Sequence, residues 1–171
     1  WCRWGRGADG RDGGGRWGVG GVGRVSPTGK DGRSPWSALV AGESGAADMT
    51  ACDQTNYNVH FACELKGFDP TVWINHKAAR RMDRFAQMVI AAARQAEADS
   101  GVELAAAADR FGASIATGIG GLQSYQDCYH VLLTPGAARV RPSPVPSLLP
   151  NLAPGRVPSR PAPEGTPAAL S

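Results

Sequence analysis

Residues 75–101 read NHKAARRMDRFAQMVIAAARQAEADSG and form the longest periodic segment of the 171-residue chain. Its apolar residues recur at steps of three and four, which places them on one helix face: Met82, Phe85, Val89, Ala92 and Ala96. No Gly or Pro interrupts the interior, and Gly101 can take the left-handed conformation that ends helices. We therefore predict one continuous helix from Asn75 to Gly101.

A basic cluster lies at the front of this predicted helix and comprises Lys77, Arg80, Arg81 and Arg84. Cations near a helix N-terminus oppose the helix dipole, so their placement carries a small energetic cost. Two interpretations remain open. The cluster is either a solvated helix end or a docking face for an anionic partner, such as a phosphate, an acidic helix or nucleic acid.

Shorter elements are predicted on both sides of this segment. Residues 33–42 favour a helix that Ser34 caps, with Trp36, Leu39 and Val40 as its apolar face. The other predicted elements are a weak strand at the start of 17–32, a half-exposed strand at 59–66, a helix at 102–110, a buried strand at 113–117 and a helix at 122–133. Alternation in the 59–66 segment places Cys63 on its apolar side, so we expect a buried thiol there.

The composition divides the chain into three parts. Glycines crowd residues 1–16 and prolines crowd residues 142–171, whereas residues 17–141 resemble an ordinary folded domain. We expect a disordered tail at the front and an irregular, Pro-rich tail at the end. The net charge of +3 gives no sign of a nucleic-acid binder. An Arg-Gly RNA-binding tail and a PxxP ligand segment are the less favoured alternatives for the two ends.

The spacing of the cysteines and the length of the apolar runs predict a cytoplasmic location. The four cysteines have no CxxC or disulfide-scaffold spacing, which favours reduced thiols in a cytoplasmic protein. No apolar run is long enough for a membrane span, and the first residues have no apolar secretory core. The chain begins without Met, which we interpret as a fragment or a disturbed start.

No complete catalytic set is present, and no metal site or cofactor motif is predicted. A literal G-x-G-x-x-G at residues 18–23 lacks the preceding strand and following helix that a dinucleotide site requires. Cys128 and His130 are two residues apart, so on a helix they would point in nearly opposite directions. The other histidines, His60 and His76, have no orienting carboxylate nearby in the sequence.

Four segments of the chain resemble the N-terminal part of the β-ketoacyl-acyl-carrier-protein synthases, closest to the type II condensing enzymes. They read GVGRVSPTGKDGRSPWSALVAGESG, KAARRMDRFAQMVIAAARQAEADSG, IATGIGGLQSYQ and PSLLPNLAPG. The resemblance runs from about Gly18 to about Asn151. It implies an α/β protein, the N-terminal half of a thiolase-like fold, which in the full-length family forms a homodimer. The implied activity is the decarboxylative Claisen condensation of acyl and malonyl groups in fatty acid biosynthesis, an acyltransferase reaction.

The resemblance also assigns roles to individual residues. Lys77, Arg80 and Arg81 fall where the family's basic residues meet the acidic acyl carrier protein. Arg139 is similar to a second basic contact, although Ala138 stands beside it where the family has a basic residue. Ile119, within TGIGG, falls where the family places an apolar residue at the acyl-chain pocket.

The family's cysteine nucleophile and its two histidines have no counterpart in this chain. The final residues PEGTPAALS resemble a distorted form of the strand before the nucleophile, and Cys2, Cys52, Cys63 and Cys128 do not match its position. We therefore expect a truncated or frameshifted condensing enzyme that is inactive alone. The alternatives are a non-catalytic carrier-binding module and a non-functional fragment.

Overall fold

The structure is a computed structural model that describes residues 18–31, 33–102, 113–134 and 136–140. The described residues fall into two compact units. Unit 1 draws on Trp1–Asp69 and Arg94–Gly101, and unit 2 on Pro70–Ala93 and Val102–Ser171. The predicted tails at 1–16 and 142–171 lie outside the described residues.

The described elements are mostly helical. The α-helices are α1 (Ser34–Val40), α2 (His76–Ala79), α3 (Arg84–Ser100) and α4 (Leu122–Leu133), with short 3-10 turns at Pro70–Val72 and Ala137–Arg139. Two short strands, β1 (Ala47–Asp48) and β2 (Phe61–Ala62), pair antiparallel with Ala47 opposite Ala62. No helix in the described part of the chain is both long and apolar enough to cross a bilayer.

The segment from Gly21 to Lys30 is attached to the end of α3 by side chains of that helix. The buried amide of Gln95 accepts a hydrogen bond from the Arg24 backbone N–H at 3.1 Å and donates one to the Lys30 carbonyl at 2.8 Å. The Asp99 carboxylate accepts from the Val22 N–H at 2.9 Å. Because these backbone groups bond to side chains rather than to a strand, the weak strand predicted here is absent from the described segment.

Helix α1 occurs where it was predicted, but its cap and its exposed face differ from the prediction. Asp31, not Ser34, accepts the free N–H groups, from Arg33 at 2.8 Å and from Ser34 at 2.6 Å. These hydrogen bonds, that of Ser34 first, lower the pKa of the Asp31 carboxyl. The predicted apolar face is exposed, since Trp36 remains 57% accessible, whereas the smaller Pro35 and Ala38 are buried. Gly42 ends the helix as predicted, with φ +72°.

The strand predicted over residues 59–66 is reduced to the two residues of β2, and Cys63 is exposed rather than buried. Phe61 is 64% exposed, so this pair of strands covers no core. Instead, the carboxylate of Glu64, just after β2, bonds to the residues that follow β1. Glu64 accepts hydrogen bonds from the Ala51 N–H at 2.9 Å and from the backbone and hydroxyl of Thr50, and these bonds lower its pKa.

The single helix predicted from Asn75 to Gly101 is two helices with a link at residues 80–83. The first ends in tight bonds that reach back three residues, from the Arg81 N–H to Ala78 and from the Met82 N–H to Ala79. The second starts after Asp83, whose carbonyl accepts from the Gln87 N–H at 3.2 Å. Gly101, with φ +63°, ends α3 as predicted.

The predicted apolar stripe of α3 is only partly buried. Met82, Phe85, Val89 and Ala92 are half-buried, and Ala96 is fully enclosed. A more deeply buried line of side chains on α3 is shifted by one residue towards the C-terminus and contains Ala86, Ile90 and Ala93. Small side chains dominate this line, so α3 approaches its neighbours closely and is covered on more than one face.

Helix α4 spans the residues predicted for it, whereas the segment before it contains no regular strand. Residues 113–117 are irregular, and most of the helix predicted at 102–110 lies outside the described residues. The predicted apolar side of α4 is exposed: Leu122, Tyr125, Tyr129 and Leu132 are 46–54% accessible. The rings of Tyr125 and Tyr129 stack with centroids 6.2 Å apart. The half-buried side consists of Ser124, Cys128 and Val131.

Candidate functional site

The basic residues of the predicted docking face lie at the corner between α2 and α3, in unit 2. Lys77 is on α2, Arg80 is its C-cap, and Arg81 follows in the link. Arg84 is the first residue of α3, and all four side chains are exposed. Arg139, also exposed, ends the 3-10 turn that follows α4. We refer to Lys77, Arg80, Arg81 and Arg84 as the basic corner.

Because α2 and α3 are separate helices, the basic corner includes both a helix C-terminus and a helix N-terminus. Arg80 stands at the C-terminal end of α2, where a cation is favourable. Arg84, the first residue of α3, opposes the dipole of that helix, and the preceding Asp83 supplies a compensating negative charge. The cost predicted from a continuous helix is therefore absent at Arg80 and reduced at Arg84.

Side chains hold the backbone of the corner from both ends. Asn75 caps α2 by accepting the Ala78 N–H at 2.8 Å. The amide nitrogen of Gln87 donates to the carbonyls of Ala79 at 2.9 Å and Met82 at 3.3 Å. The first carbonyl ends α2 and the second lies in the link, so this amide bonds both of them to the first turn of α3.

Asp83 is the buried centre of this arrangement, with 6% of its surface accessible. Its Oδ1 accepts from the Phe85 N–H at 3.2 Å, which caps α3. Its Oδ2 accepts from the Ser124 N–H at 2.9 Å, in the first turn of α4. Periodicity and charge in the sequence did not identify Asp83 or Gln87. An Asp directly before a helical segment is a preferred N-cap, and that signal could have placed the start of α3.

The basic corner retains unneutralised charge. The side chains of Lys77 and Arg80 form no ion pair with any residue that the structure describes, and neither does that of Arg139. Arg81 and Arg84 do make further interactions. Exposed cations on a rigid backbone attract an anionic surface at long range and bind it with little loss of backbone entropy.

Ile119, predicted at the acyl-chain pocket, is 70% exposed in the bend before α4. It lies between two glycines, and Gly120 has a φ of +81° that favours Gly. The Gly120 N–H donates to the Thr117 hydroxyl at 3.1 Å. The described residues form no enclosed pocket around Ile119, so its assignment to an acyl-chain pocket stays a prediction.

The cysteines and histidines are not brought together as a catalytic pair within the described residues. Cys52 and Cys63 are exposed in loops, while Cys128 is half-buried in the middle of α4. His130 on the same helix is exposed. None of these thiols stands at the start of a described helix, where the dipole would favour the thiolate.

Two curated relatives are enzymes named 3-oxoacyl-acyl-carrier-protein synthase 2. The enzyme of Vibrio cholerae is 41% identical over 126 residues, which make up 73% of this chain and 30% of that enzyme. The enzyme of Staphylococcus aureus is 40% identical over 126 residues, 73% of this chain and 31% of its own length. The chain thus spans less than a third of the curated relatives it matches.

Two solved ketosynthases share the fold. The ishigamide ketosynthase/chain length factor aligns with a TM-score of 0.66 and 26% identity, over 78% of this chain and 34% of that one. A type II polyketide ketosynthase, solved with its acyl-carrier protein and a bound hexaketide, aligns with a TM-score of 0.58. At 20% identity, over 80% of this chain and 36% of that one, the second likeness concerns the fold alone. These likenesses confirm the predicted thiolase-like α/β fold fragment.

The similarity extends over most of the chain. Residues 18–167 match the family described as beta-ketoacyl synthase, N-terminal domain. This range contains the basic corner, Ile119 and α4, and it agrees with the names of the curated relatives. The chain therefore belongs to the beta-ketoacyl synthase family.

Proposed function

We propose that this chain serves the decarboxylative condensation of an acyl group with a carrier-bound malonyl group in fatty acid biosynthesis, and that its own part is to dock the acyl carrier protein. The condensation forms a carbon–carbon bond between the malonyl α-carbon and the acyl carbonyl carbon, as the malonyl carboxylate leaves as carbon dioxide and the acyl thioester bond breaks to release its thiol. The observation that carries the proposal is the basic corner, exposed and held on a capped backbone. The names of the curated relatives supply the carrier protein as the partner.

We further propose that Lys77, Arg80, Arg81 and Arg139 contact the carrier protein and that the chain alone does not catalyse condensation. Support for inactivity comes from the described thiols, none of which begins a helix. Incubation of the isolated chain with radiolabelled malonyl and acyl carrier proteins is expected to yield no condensed product. Robust turnover would refute this part of the proposal.

Charge reversal tests the docking role directly. Arg80→Glu combined with Arg81→Glu is expected to weaken carrier-protein binding at least about ten-fold, which corresponds to ~1.4 kcal/mol. The loss should shrink as salt is raised, because exposed charges are screened. Arg33→Glu in unit 1 is the control for charge reversal, since Arg33 is also exposed but lies outside the basic corner. Calorimetry that finds equal affinity for the double variant and the wild type would remove the docking role.

We also propose that the full-length protein is a homodimer and that the apolar side of α4 contributes to its interface. The support is the exposed set on one side of this helix: Leu122, Tyr125, Tyr129, Leu132 and Leu133. A contiguous exposed patch of this kind is typical of a surface covered by a partner. Ile119, 70% exposed just before the helix, would then be enclosed between subunits as an acyl-pocket residue.

A cytoplasmic location, with neither nucleic acid nor a membrane as partner, completes the proposal. Cys52 and Cys63 are free and exposed, a state that a reducing compartment maintains. Recovery of the chain in a washed membrane fraction would contradict this location.

A further inference from the structure

We propose that Asp83 is a positioning residue that holds the basic corner and the loop before α4 in one fixed arrangement. The inference rests on the proposed docking function, since it concerns how that face is presented. Asp83 itself is buried and does not reach the carrier protein. It acts through the residues on either side of it, all of them within unit 2.

Two helix starts converge on this carboxylate. Phe85 is the second residue of α3, and Ser124 is the third residue of α4. Backbone N–H groups in a first helical turn have no carbonyl partner within their own helix. Asp83 accepts both, one on each oxygen, at 3.2 Å and 2.9 Å. One side chain therefore caps its own helix and a second helix 41 residues away.

A carboxylate suits this position better than any neutral side chain of similar size. It presents two acceptor oxygens and no donor, whereas an amide of the same shape presents one acceptor and one donor. Burial of a negative charge is costly unless it is compensated. Here the compensation comes from the positive ends of α3 and α4, which both point towards Asp83.

The two hydrogen bonds accepted by Asp83, which we call the clamp, connect the basic corner with the bend that contains Ile119. Arg80, Arg81 and Arg84 lie within three residues of Asp83 along the chain. Ile119 lies five residues before Ser124, in the bend that leads into α4. Because Asp83 bonds to the start of each helix, it restrains both segments at once.

The sign of the effect separates positioning from simple electrostatics. Removal of a negative charge beside the basic corner makes the corner more cationic, and this alone would strengthen binding of an anionic partner. Loss of the clamp instead frees the corner and the loop, so ordering entropy must be lost on binding. A positioning role therefore predicts weaker binding after Asp83 is neutralised.

Two neutral variants test the inference in the full chain. Asp83→Asn keeps an N-cap for α3 but turns an amide donor towards the Ser124 N–H. Asp83→Ser also keeps a good N-cap and removes the second acceptor. Asp127→Asn is the control, because Asp127 is exposed on α4 and bonds only to Gln123 among the described residues.

We expect both Asp83 variants to bind acyl carrier protein about ten-fold more weakly, while Asp127→Asn binds as well as the wild type or slightly better. Amide hydrogen exchange should accelerate at Ser124 in both Asp83 variants and remain unchanged at Val22 in unit 1. In the wild type, addition of carrier protein should shift the amide signals of Gly120 and Gly121. These shifts should be lost in Asp83→Asn.

The possible negative results distinguish failure of the positioning role of Asp83 from failure of the docking function. Equal or tighter binding by folded Asp83 variants overturns the positioning role. So does loss of cooperative unfolding in both variants, because Asp83 would then be a general requirement for folding. If reversal of Arg80 and Arg81 leaves carrier binding unchanged, the proposed docking function fails instead. The clamp is then judged by exchange at Ser124 alone, and unchanged exchange there overturns it.

Discussion

Replacement of Gly21 by Ala is expected to destabilise unit 1 through a clash with the backbone of α3. Gly21 is buried against the last turns of this helix. A Cβ added there would lie 2.5 Å from the Ser100 nitrogen and 2.7 Å from the Ser100 Cβ, and it would also meet the Ala96 carbonyl oxygen. Two of these atoms belong to the main chain and cannot rotate away, so the two backbones must separate.

The size of the effect follows from two opposing terms. Extra carbon in a well-packed site costs about 1–3 kcal/mol. Ala also restricts the unfolded chain, which returns about 0.4–1 kcal/mol. The difference between the midpoints of these ranges gives a net loss of about 1.3 kcal/mol. Because each kcal/mol shifts the midpoint by about 2–4 °C at this chain length, Tm should fall by about 3–5 °C.

Gly18→Ala is the matched control. No described atom lies within 4 Å of the Cβ that would be added at Gly18, and this residue has no positive φ. Its Ala variant should match the wild type within about 0.5 kcal/mol, or exceed it slightly. Urea unfolding followed by circular dichroism gives both values, and amide exchange at Val22 reports the local effect. If Gly21→Ala were as stable as Gly18→Ala, the close approach of the two backbones would be refuted.

The remaining predictions concern α4 and Glu64. Tyr125→Asp should abolish the concentration-dependent self-association of the chain, as measured by sedimentation velocity. The control Gln123→Asp, on the polar side of α4, should leave self-association intact. A wild-type chain that stays monomeric at high concentration would contradict the proposed interface. The lowered pKa of Glu64 means that its contribution to stability is complete above the unfolded pKa, near 4.5, and is lost as pH falls through the folded value. The amide signal of Thr50 should therefore titrate with a midpoint below pH 4.5. Glu64→Gln should remove this titration of the Thr50 signal. A midpoint at or above pH 4.5 would refute the hydrogen bonds from Thr50 and Ala51 to Glu64.

Local sequence signals predicted α1 and α4 and two helix ends, but they predicted one helix where α2 and α3 are separate. Periodic apolar residues located α4, and Gly42 and Gly101 marked helix ends because each adopts the left-handed conformation there. These outcomes depend on interactions within a few residues, which sequence periodicity captures. Periodicity missed the break at residues 80–83, although Asp83 is a local N-cap signal. The hydrogen bond from the Ser124 N–H to Asp83 joins residues far apart along the chain, so no local signal predicts it.

Strands were predicted poorly for a related reason. Alternation in residues 59–66 describes which side chains share a face, but a strand also needs a neighbour to bond its backbone. Within the described residues, β2 finds such a neighbour for only two residues, and Cys63 is consequently exposed. The apolar side of α4 was likewise identified from the sequence, whereas its exposure was not.

The sequence by itself determined the family resemblance, the helical segments and the cluster of positive charge, because these depend on residue types and their spacing. Only the tertiary structure decided that the break at residues 80–83 bonds to the start of α4. The physical reason is that a buried carboxylate must be compensated, and Asp83 is compensated both by the start of α3 beside it and by the start of α4, 41 residues away. The basic corner at residues 77–84 thus owes its charge to local sequence, and its shape to the local Asn75 and Gln87 contacts together with the long-range hydrogen bond to Asp83.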